Sequence, residues 1–223
     1  MEPVEAIPDD SAAPIEAVLI DWAGTITAPL AEIGMDLVDS LDLGTEATTA
    51  VLSELATYLD HEDNIFHRAE RGDVDDDDLR AHLDAVAPGA GEAIGGGPPS
   101  LAHAPARPEM LDLLAELADA GVFVVLATNN FRSSQETLAA TYLDTGLASA
   151  LVNSAMVGIR KPDPAFFELC LELCAVTPDE VLLVDDHDDN LAAAAALGIR
   201  CVKVGPDPTA AIAEVRRLAL PES

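Results

Sequence analysis

The sequence contains little cysteine and few aromatic residues. Its 223 residues include 3 cysteines, and aromatic residues make up 4%. Three cysteines do not make a disulfide framework. Cys170 and Cys174 stand four residues apart in a predicted helix, and we expect both to be small apolar residues of the core.

Long apolar runs are also missing. No stretch reaches the roughly 18 consecutive apolar residues that cross a bilayer. Residues 1–14 are acidic, contain proline and lack the basic and apolar parts of a signal segment. We therefore expect a flexible tail at 1–14, no membrane partner and a cytoplasmic location.

Positive charge is scarce. Lysine and arginine number 11 against 41 aspartates and glutamates, so the formal net charge is −30. Nucleic acids and anionic membranes repel such a chain, and neither is expected as its main partner. Hydrophobic residues nevertheless make up 49% of the sequence, which argues against disorder. The length suits one substantial domain, or one domain with a smaller domain inserted.

Short apolar strands alternate with helices along most of the chain. The predicted strands are 15–20, 122–127, 150–153, 181–184 and 201–204. The predicted helices between them are 109–120, 134–143, 164–174 and 190–197. This alternation is typical of βαβ units, so we predict an α/β fold with a Rossmann-like parallel sheet.

One helical block interrupts the alternation after the first strand. Its predicted helices are 31–43, 45–59, 61–71 and 75–87, the last with Asp75 as N-cap. A connector rich in glycine and proline, 88–108, follows. The block is too long for a strand-to-helix loop. We therefore predict an inserted helical domain with its connector at 30–105, and a sheet domain at 15–29 and 106–223.

Polar residues follow the predicted strands, where ligands bind in open α/β sheets. These residues are Asp21, Thr128 to Asn130, Arg160 to Pro164 with Lys161, and Asp185-Asp186. Carboxylates this close repel one another unless a cation lies among them. Oxygen ligands suit Mg²⁺, which is the expected cofactor. A carboxylate left free to attack would form a covalent aspartyl intermediate.

Four ordered segments carry a family resemblance. They are 18–25 (VLIDWAGT), 126–129 (LATN), 161–164 (KPDP) and 183–186 (LVDD). Together they resemble the motifs of the haloacid dehalogenase (HAD) superfamily, over residues 15 to about 205. The helical block is similar to that family's small α-helical cap. The resemblance implies a Mg²⁺-dependent hydrolase of phosphatase or phosphonatase type with a small, anionic substrate.

The resemblance implies roles at the predicted metal site. Asp21 would be the nucleophile and would also bind Mg²⁺, together with the backbone carbonyl of Ala23. Asp186 would be the direct metal ligand of the acidic pair, with Asp185 close by as a second metal-site residue.

Other roles concern the substrate. Thr128 and the backbone N–H of Asn129 would hydrogen-bond the transferring phosphoryl group, and Lys161 would offset its charge. The backbone at Ala23 and the side chain of Asn130 are expected to line the pocket. Arg68, on a predicted cap helix, would either meet a substrate anion as the cap closes or pair with surface acids.

Position 23 departs from the family pattern. Family phosphatases usually carry there a second Asp that protonates the leaving oxygen and then deprotonates water, and Ala23 does neither. Such general acid–base help contributes about 10²–10⁴-fold. His187, directly after the acidic pair, is a candidate replacement because its pKa suits the task.

The first motif is most similar to that of the family's C–P bond hydrolases, the phosphonoacetaldehyde hydrolases, which use a cap lysine. This chain has two lysines, Lys161 and Lys203, and neither lies in the predicted cap. Three interpretations remain open: a Mg²⁺-dependent phosphohydrolase with unusual proton handling, an atypical C–P or C–halogen hydrolase, and a catalytically weak HAD-fold protein that binds a ligand or partner. Substrate identity and oligomeric state are not readable from the sequence.

Overall fold

A five-stranded parallel sheet forms the centre of the fold. The computed structural model describes residues 13–29, 32–33, 45–60, 64–91 and 104–220. The strands are β1 (Ala17–Ile20), β2 (Phe123–Thr128), β3 (Ala150–Asn153), β4 (Val181–Asp185) and β5 (Arg200–Lys203). Their order across the sheet is β3-β2-β1-β4-β5, and all neighbouring pairs are parallel. This is the predicted α/β architecture, and it places β1 at the centre with β2 and β4 on its two sides.

Helices cover both faces of this sheet. They are α4 (Pro108–Asp119), α5 (Gln135–Leu138), α6 (Ser154–Val157), α7 (Pro164–Cys174), α8 (Asp188–Ala196) and α9 (Thr209–Ala219). Side chains of β1 alternate between the faces, as a pleated strand requires. Val18 and Ile20 pack with apolar residues of α4 and α9, whereas Leu19 packs with residues of α7 and α8. Both faces are therefore apolar, which explains why β1 and β4 read as continuous hydrophobic runs.

Most predicted elements of this region lie within two residues of their observed bounds. Strand β3 and helix α7 match the predicted 150–153 and 164–174 at both ends. The predicted helix 134–143 is a short α-helix that continues as a π-helical turn at Ala139–Leu143. Helix α9 was not expected from the sequence, although Ile212, Val215 and Ala219 form a buried apolar stripe along it.

A second group of helices lies between β1 and α4. It comprises α1 (Thr45–Asp60), α2 (Ile65–Glu70) and α3 (Asp76–Val86), which share a separate apolar cluster with Val51, Phe66 and Leu79. Asp75 is the N-cap of α3, as expected, and its side chain accepts a hydrogen bond from the backbone N–H of Asp78. The predicted helix 31–43, most of the connector and the predicted tail lie outside the described residues, apart from a few at their edges.

The chain leaves the sheet domain and returns to it at one place. Thr27 and Ala106 form an isolated antiparallel bridge, and the backbone N–H of Arg107 donates to the carbonyl of Ile26 at 2.8 Å. The two connecting segments therefore run side by side.

Candidate active site

Strand pairing brings two of the predicted carboxylates together. Ile20 of β1 is paired with Val184 of β4, and the backbone N–H of Asp21 donates to the carbonyl of Val184 at 2.9 Å. Asp21 therefore stands beside Asp185 at the carboxyl edge of the sheet. Both residues are buried, which is costly for carboxylates unless they are paired.

Lys161 supplies that pairing. Its Nζ donates to Oδ1 of Asp21 and to Oδ2 of Asp185, each at 2.7 Å, and its side chain is only 1% exposed. The side chain of Asn129 holds the Lys161 backbone from both sides. Its Oδ1 accepts from the Lys161 N–H and its Nδ2 donates to the Lys161 carbonyl, both at 2.9 Å. The ammonium is thus fixed between the two acids.

Asp185 accepts three further hydrogen bonds. Nδ2 of Asn190 lies 3.0 Å from Oδ1 and 3.1 Å from Oδ2, and the backbone N–H of His187 donates to Oδ1 at 2.8 Å. All these partners are donors, so both oxygens of Asp185 act as acceptors in this network. Asn190 was not expected at the site. The available signal was its place in the first turn of the helix that follows the acidic pair.

The third carboxylate, Asp186, lies against the loop that follows β1. Residues 22–26 form a π-type turn in which Gly24 has φ +83°. A Cβ on Gly24 would lie 2.3 Å from Oδ2 of Asp186, so only glycine permits this approach. Carboxylate atoms of Asp21, Asp185 and Asp186 lie within 4.8 Å of one another. This all-oxygen cluster fits Mg²⁺, the predicted cofactor.

The crowding of charges shifts the pKa values of these groups. Burial, with the charges of Asp185 and Asp186 adding to it, raises the pKa of Asp21 to about 7 against the opposing effect of Lys161. Burial and the charge of Asp185 also raise the pKa of Asp186. Burial alone would lower the pKa of Lys161, but the two adjacent carboxylates raise it above its usual value. The lysine therefore keeps its proton.

Thr128 and Asn130 lie at the end of β2. Thr128 is fully buried, with its hydroxyl 3.4 Å from the Asn129 carbonyl. Asn130 contributes to the local framework, because its Oδ1 accepts from the N–H of Phe131 and its own N–H donates to the hydroxyl of Ser154. Its contacts are therefore with neighbouring loops.

Ala23 and Arg68 are the remaining predicted site residues. Ala23 lies in the turn beside Asp186, with its methyl group packed against the apolar cluster of the α4 face. Arg68 is exposed on α2, and the contacts among the described residues do not bring it to the carboxylates.

Contacts at Glu70 and at Phe131 join the helical group to the site region. Nε of Arg160 donates to Oε2 of Glu70 at 2.8 Å, with side-chain exposures of 18% and 5%. Glu70 ends α2, and Arg160 directly precedes Lys161. Phe131, which follows the polar residues after β2, packs into the apolar cluster of α1–α3. Neither contact was expected, because both join positions far apart in the sequence.

A family model for haloacid dehalogenase-like hydrolases matches residues 15–198. This chain belongs to that family. The match covers both the strand-end residues and the helical group, so the resemblance seen in the four motifs is confirmed, and the chain is a hydrolase of HAD type.

Two relatives illustrate the range of proteins that share this domain. A sesquiterpene phosphatase of Aspergillus oryzae, AstK, is 30% identical over 173 residues, which span 77% of this chain and 86% of the phosphatase. The mouse acyl-CoA dehydrogenase family member 10 is 38% identical over 104 residues, which span 46% of this chain but only 10% of that protein. This chain thus covers most of the first relative and a small part of the second.

A solved structure supports the fold. A HAD family enzyme of Bacteroides thetaiotaomicron, in complex with magnesium and inorganic phosphate, superposes with a TM-score of 0.66 at 18% identity. The superposition covers 86% of this chain and 95% of that one. Among the described residues, no helix is long and apolar enough to cross a membrane.

Proposed function

We propose that this protein is a Mg²⁺-dependent phosphohydrolase that acts on a small phosphorylated metabolite through a covalent intermediate on Asp21. The observation that carries the proposal is the buried set of Asp21, Lys161 and Asp185, with Asp186 beside it. Phosphoryl transfer depends chiefly on positioning and charge stabilisation, which is what this arrangement supplies.

Asp21, Asp186 and the backbone carbonyl of Ala23 would hold magnesium. Asp185 is less available as a direct ligand, since both of its oxygens already accept hydrogen bonds from Lys161 and Asn190. When bound, the ion neutralises part of the negative charge on the phosphoryl oxygens. The fit rests on the cluster of oxygen atoms, which would otherwise carry three close negative charges against one lysine.

The reaction has two balanced steps. A carboxylate oxygen of Asp21 forms a bond to phosphorus while the bond between phosphorus and the leaving oxygen breaks, and that oxygen keeps the electron pair. Water then attacks phosphorus, the Asp21–phosphorus link breaks, and inorganic phosphate is released with a proton passing to solvent. Asp21 returns to its starting state.

The other residues orient these steps. Lys161 holds Oδ1 of Asp21 in place and offsets charge on the phosphoryl group. Thr128 and the backbone N–H of Asn129 bind phosphoryl oxygens at the end of β2. The Asn129 side chain fixes the backbone of Lys161, which contacts Asp21. Asn129 therefore acts on the phosphoryl group through its backbone N–H and on Lys161 through its side chain.

The helical group acts as the cap predicted at 30–105. Its contacts through Glu70 and Phe131 support this role, because they join the cap to the loops that carry Arg160 and Asn130. Closure excludes water from the reacting groups.

A panel of substrates tests the proposal. Phosphate esters, phosphonates and haloacids are assayed with and without Mg²⁺, and a metal-fluoride phosphoryl analogue is trapped on Asp21 and followed by ¹⁹F NMR. We expect Mg²⁺-dependent release of phosphate and a fluoride signal that Asp21→Asn abolishes together with turnover. Turnover of Asp21→Asn equal to that of the wild type would contradict the nucleophile assignment.

The same panel separates the alternatives. Phosphonate or haloacid turnover without phosphatase activity would replace the proposal by a C–P or C–halogen hydrolase. No turnover and no fluoride adduct at saturating Mg²⁺ would indicate a ligand-binding HAD-fold protein. A lysine-dependent C–P route is disfavoured because Lys161 is bound between two acids and Lys203 is paired with Asp188 on the surface.

A further inference from the structure

The site places a nucleophile at Asp21, but Ala23, two residues further on, supplies no proton to a leaving group. An ordinary alcohol is a poor leaving group as an alkoxide, so its departure needs a proton from the protein, which contributes about 10²–10⁴-fold. Each polar side chain near Asp21 therefore matters for which bond the protein breaks.

Lys161 and Asp185 are both unsuited to protonate a leaving group. Lys161 donates to two carboxylates at 2.7 Å, and both of them hold its proton in place. Asp185 accepts hydrogen bonds from Nζ of Lys161, from Nδ2 of Asn190 at both of its oxygens, and from the backbone N–H of His187. Both of its oxygens are therefore already engaged as hydrogen-bond acceptors.

The turn after β1 also lacks an acid. Trp22 is buried, and its Nε1 donates to the Tyr142 hydroxyl at 2.9 Å. Ala23 presents only a methyl group, and the Thr27 hydroxyl is bound to the carbonyls of Trp22 and Ala28. Asp186, which lies against Gly24, belongs to the metal cluster. None of these side chains of the turn is a free acid. His187, the candidate replacement acid, has an exposed side chain, and its backbone N–H donates to Oδ1 of Asp185.

We propose that the substrates are phosphoric anhydrides or acyl phosphates, whose leaving group is a phosphate or a carboxylate that departs as an anion without receiving a proton. The phosphorus–oxygen bond breaks, its electron pair stays on that anion, and the Asp21 oxygen takes its place on phosphorus. The second step also expels an anion that needs no proton, because its leaving group is the Asp21 carboxylate. This inference rests on the proposed phosphohydrolase function.

A comparison of leaving groups tests it. The full-length protein with saturating Mg²⁺ is assayed on acetyl phosphate and inorganic diphosphate, on aryl phosphates of graded acidity, and on ethyl phosphate. We expect kcat/KM to fall steadily with the basicity of the leaving group, so that ethyl phosphate is at least about 10²-fold slower than acetyl phosphate.

Ala23→Asp supplies a gain-of-function control. Ala23 has extended backbone angles of φ −76° and ψ 121°, which accept any side chain. Ala23 is only partly buried where it packs against the apolar cluster. A carboxyl group there that turns toward the leaving oxygen can protonate it, so the ratio of ethyl phosphate to acetyl phosphate turnover should rise by about 10²–10⁴. Ala23→Asn, of equal size but without an acid, should keep the wild-type ratio.

Each result decides between the two proposals. Equal wild-type rates on ethyl and acetyl phosphate, or an unchanged ratio in Ala23→Asp, would overturn the substrate class while leaving the phosphohydrolase function intact. No turnover of any compound in the series, with no fluoride adduct on Asp21, would overturn the function itself.

Discussion

The carboxyl edge of the sheet and the helical group at 45–91 are stabilised by different kinds of contact. At the sheet edge, Lys161 joins Asp21 to Asp185, residues separated by many elements of the fold. In the helical group, Asp75 caps the helix that starts beside it, and the side chain of Asn64 accepts from the N–H of His67. The edge therefore depends on long-range charges, whereas the helices depend largely on local signals and a small apolar cluster.

This difference predicts how each region responds to substitution. Removal of one partner at the sheet edge leaves a buried charge without its counterpart, which costs more than the interaction itself contributed. Loss of a local cap exposes one backbone N–H to solvent, with a smaller and strictly local cost. The following experiments separate the two regions, from the largest expected effect to the smallest.

Asn190→Ala should have the largest effect, because Asn190 orients Asp185 through both carboxylate oxygens. Loss of such a supporting hydrogen bond typically lowers metal affinity or activity by about 10–100-fold. Calorimetric titration with Mg²⁺ and a turnover assay measure it. Ala192→Ser, at an exposed position of the same helix, is the matched control. Unchanged Mg²⁺ affinity and turnover in Asn190→Ala would show that Lys161 alone suffices to orient Asp185.

The Glu70–Arg160 pair should couple the helical group to the sheet domain. Removal of one partner from a buried pair destabilises by several kcal/mol, and the partial exposure of Arg160 reduces this to about 2 kcal/mol. Urea unfolding of Glu70→Gln, Arg160→Gln and the double variant measures the coupling. We expect the double variant to lose less stability than the sum of the single variants. Strict additivity would mean that the two side chains act independently.

Mg²⁺ affinity should rise with pH. Burial raises the pKa of Asp21 to about 7, so below pH 7 the ion must displace a proton from this ligand. Affinity should therefore weaken by up to about tenfold for each pH unit below 7 and level off above it. Calorimetry at pH 6, 7 and 8 tests the sign, and an affinity that is constant over this range would argue against Asp21 as a metal ligand.

Asp75→Ala should have the smallest effect. It removes the hydrogen bond to the Asp78 N–H, which costs about 1 kcal/mol of stability. Asp76→Ala, which keeps the cap and removes only a favourable charge in the first turn, should cost less. Thermal unfolding of both variants measures the difference. Equal losses would assign the stabilisation to charge rather than to the cap.

Prediction from the sequence succeeded where the physical signal was local. The apolar runs of β3 and β4, the N-cap at Asp75 and the polar residues at strand ends were all readable from short windows. The parallel sheet followed from their alternation, and this in turn brought Asp21 and Asp185 together.

The contacts that sequence reasoning missed all cross between elements. Asn190 reaches Asp185 across the start of α8, the Asn129 side chain clamps the Lys161 backbone, and Glu70 pairs with Arg160. The last two pairs depend on how two loops are placed by the assembled sheet, which no periodicity encodes. Asn190 stands five residues after Asp185, and its only signal was its place in the first turn of α8. The role of Asn129 was therefore predicted through its backbone alone, although its side chain holds the Lys161 backbone.

The bridge between Thr27 and Ala106 brings the start and the end of the helical insertion together at one place on the sheet domain. Because the chain departs and returns at adjacent positions, a short turn could replace everything between them without altering strand order. The entropic cost of closing a connection grows only slowly with its length. Insertions of very different size are therefore compatible with one unchanged sheet, and the helical insertion can change in length while the residues at the strand ends keep their places.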